Sequence, residues 1–222
     1  MVTEAFQLLS VEPELGEIMR YCGYNGHQPL PDDVERAIAE TVADAAVHLR
    51  PKGTYSLYPV TARSSRSLSL GAVTIQGQVA RFVGQAGRVA AFVVTAGSEL
   101  AEHVAERAGD PLRGWVLDAF GSWAAEAAVE ALMRPLALRL QPDEALTLRY
   151  SPGYCGMDLE EQRAIFQLVE ADSIGVSLLP SCLMQPLKSI SGLVGLGPRS
   201  SIERVRSPCE RCPELGCHMR RA

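Results

Sequence analysis

The sequence predicts an α+β fold with an antiparallel or mixed sheet. Three observations carry this. Several neighbouring strand candidates are joined by short turns, which suits antiparallel pairing. Strands and helices do not alternate strictly as βαβ. The run Arg88 to Thr95 is almost continuously apolar, as a strand buried on both faces would be.

The elements follow in chain order. Pro13 to Cys22 reads as a short helix, and Gly23 to Pro29 as a loop rich in structure-breaking residues. Asp32 and Glu35 form a variant capping box after Pro31. Apolar residues at 34, 38, 42, 45, 46 and 49 then keep helical spacing until Pro51 and Gly53. Thr54 to Thr61 and Leu68 to Ile75 read as strands around the turn Arg63–Ser67. Arg88 to Thr95 is the third strand, and Gly97 punctuates it before a helix from Ser98 to Arg107. Asp110-Pro111 opens a long helix reaching Arg134 or beyond, with Pro135 as its kink or stop. Leu146 to Tyr150 is a strand, and Asp158 to Glu170 a helix capped by Asp158 with Glu161 three residues on. Strands near 176–179 and 189–194 complete one domain, residues 1–198, and a polar tail occupies 199–222.

With 222 residues, 47% of them hydrophobic and 21% charged, the chain has the makings of a globular protein with its own core. A net charge of −5 without a basic block argues against nucleic acid as a partner. There is no stretch of about 18 apolar residues to span a membrane, and the start, Met1 to Phe6, lacks the basic and apolar regions of a signal peptide. The expected location is cytoplasmic.

Cysteines stand at 22, 155, 182, 209, 212 and 217. In a reducing compartment they are thiols or metal ligands rather than disulfides. Cys209, Cys212 and Cys217, with His218 adjacent, form a compact set of soft ligands suited to zinc or an iron–sulfur centre. A fourth zinc ligand would come from Cys155 or Cys182. The bland alternative is a tail with free thiols. The histidines at 27, 48, 103 and 218 show no metal spacing among themselves. No nucleophilic triad, P-loop or G-x-G-x-x-G occurs.

On the long helix, Asp118, Ser122, Glu126 and Glu130 recur every four residues and share a face. The alanines around Glu126 open a shallow trough for it. A solvated face is the bland reading of the same pattern. Downstream comes Arg149-Tyr150-Ser151-Pro152-Gly153-Tyr154, then a helix. An ordered set follows: Ile174-Gly175, Leu178, Ser181, Met184, Pro186, Ser189, Ser191 and Gly192. Arg149, Met184 and Lys188 on their own read as a strand-end ion-pairing residue, a core residue and a solvated residue.

The ordered set resembles the activation domain of cobalamin-dependent methionine synthase. That family carries R-x-x-x-G-Y before a helix and then I-G-x-x-L-x-x-S-x-x-M-x-P-x-x-S-x-S-G, matched here without a gap from Ile174 to Gly192. The resemblance implies a strongly twisted antiparallel sheet with helices packed around it. It also implies S-adenosylmethionine binding by Glu126, Arg149, Ser151, Gly153 and Tyr154, with Ser151 in place of the usual alanine. The family's N-terminal acidic contact has no clear match; Tyr55, Tyr58 and Arg63 lie in the approximate region. The Ser181–Gly192 group is expected to be scaffold beside the site, with no catalytic side chain.

The implied function is reductive reactivation of a corrinoid methyltransferase. A reduced flavodoxin or ferredoxin supplies an electron, and S-adenosylmethionine methylates cobalt(I). The chain lacks the D-x-H-x-x-G corrinoid-binding signature, so cobalamin is expected on a partner protein that docks in trans. The chain would then be part of a methyltransferase system serving methionine synthesis. Two alternatives belong to other classes: a non-catalytic metal-binding adaptor, and a redox sensor docking a corrinoid protein.

Overall fold

The computed structural model describes residues 2–6, 11–24, 29–83, 85–107, 109–154 and 156–202. Cys155 and the tail ligands Cys209, Cys212, Cys217 and His218 lie outside the described residues.

The sheet grows around two strands, β2 (Lys52–Arg63) and β5 (Arg88–Thr95), which pair antiparallel from Lys52–Thr95 to Pro59–Arg88. On the other edge of β2, β1 (Val2–Phe6) pairs with the first half and β3 (Ser67–Leu70) with the second. β4 (Val73–Gln76) lies outside β3. β9 (Ser189–Pro198) follows β5, and β6 (Glu144–Tyr150) closes that edge. The result is a seven-stranded sheet in the order β4-β3-β2-β5-β9-β6, with β1 off the path and every pairing antiparallel.

Both faces of β5 are covered, which explains its apolar run. Alternation sends Val89, Ala91 and Val93 to one face and Ala90, Phe92 and Val94 to the other. The first face packs on α3 (Val79–Phe82), α6 (Gln162–Leu168) and the β3–β4 hairpin. The second packs on α5 (Pro111–Ala137), through Ala128, Val129, Leu132 and Leu136. Outside α5 lies a third layer: α1 (Leu15–Tyr21), α2 (Asp32–Ala46) and α4 (Ser98–Glu106). Ile18, Val42 and Leu100 meet Val116, Phe120 and Trp123 there. Because it is buried on two sides, α5 is apolar around most of its circumference.

The structure corrects several local expectations. Asp32 is the first helical residue of α2 rather than its cap. Pro31 is the N-cap and has no acceptor, so the acidic first turn acts through the helix dipole. The strand expected over Leu68–Ile75 is a hairpin, turned at Gly71 with φ +62, a backbone state that glycine adopts without strain. Pro135 does not stop α5, which ends two residues later. The helix expected over Asp158–Glu170 is a 3-10 turn (Leu159–Glu161) leading into α6, with a second 3-10 turn over Ala171–Ile174. Glu161 does not cap it, because its carboxylate accepts the backbone N–H of Gln76 at 2.8 Å. The strand expected near 176–179 is the two-residue β7 (Ser177–Leu178), and β1, α3 and its partner β8 (Met184–Gln185) add to the sequence reading.

Candidate functional site

A cleft of about 440 Å³ opens between α5, the N-terminal segment with α1, and the end of β6. Ala127 and Ala131 line it, and their small side chains leave the space. Trp123 and Tyr21 supply aromatic surface. Five carboxylates border it (Glu12, Glu14, Glu17, Glu126 and Glu130) against two guanidinium groups, Arg134 and Arg149. That excess of negative charge favours a cationic ligand.

Arg149 is the penultimate residue of β6. The pleat sends its neighbour Tyr150 to the opposite face, where it stacks on Phe82 with ring centroids 4.6 Å apart. Arg149 itself turns to α5, where its guanidinium pairs with the carboxylate of Glu126. Glu130, one helical turn on, stands 4.0 Å away. The fold thus joins two of the expected binding residues across two elements. Both side chains remain partly exposed, at 28% and 37%, so the pair is solvated and opens cheaply.

Ser151, Gly153 and Tyr154 lie in the turn that follows and do not line this cleft. The turn is held by the Gly153 N–H donating to the Met157 carbonyl at 2.8 Å, and by the Met157 N–H donating to the Tyr154 carbonyl at 3.1 Å. Gly153 has φ +86, which explains glycine at this position. Tyr154 is 71% exposed, so its ring is free to cover something that arrives from outside.

Within the Ser181–Gly192 group, Ser189, Ser191 and Gly192 make packing and hydrogen-bond contacts inside the fold. Ser189 donates to the Pro186 carbonyl at 2.6 Å. Ser191 donates to Gln162 Oε1 at 2.6 Å, and Gln162 Nε2 donates to the Cys182 carbonyl at 2.9 Å. Those bonds tie β9 to α6 and to the β7–β8 turn. A Cβ on Gly192 would stand 2.8 Å from both Phe92 Cζ and the Tyr150 carbonyl oxygen. Lys188 is not a solvated residue. Its stem crosses Gly121, and its ammonium donates to Asp118 at 2.7 Å and to Ser122 at 2.9 Å. The polar stripe on α5 therefore serves two ends: Asp118 and Ser122 hold Lys188, and Glu126 and Glu130 face Arg149.

Tyr55, Tyr58 and Arg63 sit away from the cleft lining. Tyr55 is buried, and its hydroxyl donates to Glu4. Tyr58 donates to the Leu168 carbonyl and Arg63 to the Ala86 carbonyl. The N-terminal acids that do reach the cleft are Glu12, Glu14 and Glu17. Their spacing in the sequence carried no signal; the packing of α1 on α5 brings them there. The fold also joins two histidines that sequence spacing keeps apart: His48 and His103 stack with centroids 4.1 Å apart.

The chain matches the family model described as vitamin B12 dependent methionine synthase, activation domain, over residues 72–206. That is more than half of its length, and the chain belongs to this family. Its fold is similar to that in the crystal structure of the MetH reactivation domain bound to AdoHcy, with a TM-score of 0.65 and 16% sequence identity. The match covers 91% of this chain and 81% of that one. No curated protein matches the sequence significantly. Among the described residues, no helix is long and apolar enough to cross a membrane.

Proposed function

We propose that this chain binds S-adenosylmethionine in the cleft between α5, α1 and β6, and presents its methyl group to the reduced corrinoid of a partner methyltransferase. The observation that carries the reading is the Arg149–Glu126 pair inside an acidic cleft. An amino-acid ligand brings a carboxylate and an ammonium. Inserted between the two side chains, its carboxylate replaces Glu126 on the guanidinium fork, and the freed Glu126 takes the ammonium. The surplus carboxylates, Glu12, Glu14 and Glu130, favour the sulfonium charge. Ser151, Gly153 and Tyr154, in the turn beyond the cleft lining, would meet the adenosine where the ligand extends past the cleft, with the exposed Tyr154 ring stacking on the base.

One methyl group passes from S-adenosylmethionine to the partner's cobalt(I), leaving S-adenosylhomocysteine. Cobalt(I) is itself the nucleophile, so no general base is needed, and the chain acts by orientation. An external one-electron donor, a reduced flavodoxin or ferredoxin, returns cobalt(II) to the reactive state. Family membership supports this role, and the likeness to a reactivation domain solved with AdoHcy supports the ligand class. We place the action in trans, in the cytoplasm, on a methyltransferase of methionine synthesis. The tail ligands Cys209, Cys212, Cys217 and His218 would hold zinc or an iron–sulfur centre.

The test is transfer of labelled methyl. The protein is mixed with methyl-labelled S-adenosylmethionine, a one-electron reductant and a cobalamin-loaded methionine synthase core. Label on the corrinoid that depends on this chain and on reductant supports the proposal. Label that appears equally without the chain contradicts it.

A further inference from the structure

We infer that Asp44, His48 and His103 form a binding site for a divalent transition-metal cation of the zinc class, clamping α2 to α4. The inference is independent of the cleft and of the cysteine tail. Asp44 lies in the last turn of α2, and His48 lies in the turn that follows the helix, where its N–H donates to the Ala45 carbonyl at 3.0 Å. His103 lies on α4 and faces them. One ligand atom from each of the three falls within 4.8 Å of the others. The His103 Nε2 stands 3.2 Å from Asp44 Oδ2. Ligand atoms on a tetrahedral zinc at ~2.0–2.1 Å are separated by roughly 3.3 Å, so that spacing already suits coordination.

The second observation is an orphan. His103 is 3% exposed, and its Nε2 has no hydrogen-bond partner of acceptable geometry. Its nearest acceptor is Asp44 Oδ2 at 3.2 Å, poorly aligned with it, so the buried nitrogen is only weakly satisfied at a cost in free energy, and a metal would remove that cost. Asp44 is 45% exposed at its side chain, which leaves an entry path and a water position. Two imidazoles and a carboxylate with one open position match the ligand set of zinc sites with three protein donors.

One group opposes the cation. Arg107 pairs with Asp44 Oδ2 at 3.1 Å and donates to His103 Nδ1 at 2.9 Å. That bond leaves the proton on Nε2. Metal on Nε2 moves the proton to Nδ1, where two donors would face each other, so the guanidinium has to leave. Glu106, 3.8 Å from it, is the partner waiting outside. Arg107 is thus a resident cation that competes with the metal. Its replacement by glutamine removes the charge and offers an acceptor for Nδ1–H, the second contact that metal-bound histidines usually make.

The experiment is zinc titration against a chromophoric chelator. It uses the native chain and the full chain carrying Cys209→Ser, Cys212→Ser and Cys217→Ser, which silences the tail. The serine chain is expected to take up one zinc and to gain thermal stability with it. In that background His48→Gln and Asp44→Asn, at positions that are not buried, should each weaken uptake at least tenfold, whereas Arg107→Gln should strengthen it. Zinc should shift the ring resonances of His48 and His103. No uptake by the serine chain, or equal uptake by His48→Gln, overturns the site.

Discussion

The guanidinium of Arg149, near the end of β6, pairs with the carboxylate of Glu126 in the middle of α5. The pair closes an acidic cleft on the charges that would receive an amino-acid ligand. If ligand opens it, both residues matter to binding for different reasons. Glu126→Gln keeps the shape and removes the charge that meets the ammonium. It should weaken S-adenosylmethionine by roughly tenfold, since a charge-assisted hydrogen bond is worth about 1.5–3 kcal/mol and partial exposure discounts it. A competition assay with a fluorescent analogue would measure this; an unchanged constant would remove Glu126 from the site.

Gly192 sits where β9 crosses Phe92 and the carbonyl of Tyr150. Gly192→Ala has to push a packed ring and a strand backbone apart, at about 1–3 kcal/mol. Thermal denaturation should show Tm lower by roughly 2–10 °C. An unshifted Tm would mean that the two strands separate without cost.

Lys188→Met keeps the apolar stem over Gly121 and removes the ammonium from Asp118 and Ser122. Asp118 is 67% exposed and stays solvated, so the loss should be below about 1 kcal/mol. S-adenosylmethionine affinity should stay within about twofold, as expected for a residue that does not line the cleft. A large loss of binding would give Lys188 a role at the ligand instead.

Asp110 caps α5, accepting the Arg113 N–H at 3.1 Å. Asp110→Ala should cost about 1 kcal/mol by urea denaturation, in line with other N-cap losses. A cost near zero would mean that the partly exposed first turn frays independently of the fold.

How far the fold could be read depended on how local each signal was. β5 and α5 were legible because burial wrote itself into composition: one continuous apolar run and one long helical pattern behind Asp110-Pro111. β1 was not, because five residues carry little pattern and its partner is the distant β2. The 3-10 breaks around α6 were invisible because Glu161 serves Gln76 rather than its own helix. In the site, Glu126 and Arg149 were named from motifs, and their contact depends on β6 crossing α5. The acidic rim from Glu12 to Glu17, and the meeting of His48 with His103, are products of helix packing alone. No spacing along the chain announces them.

The most direct test of the ligand site is a calorimetric titration of the purified protein with S-adenosylmethionine, run beside Arg149→Ala. The account predicts saturable 1:1 binding that the variant weakens at least tenfold, or by about 1.4 kcal/mol or more. No binding by the native chain, or equal binding by both, would contradict it.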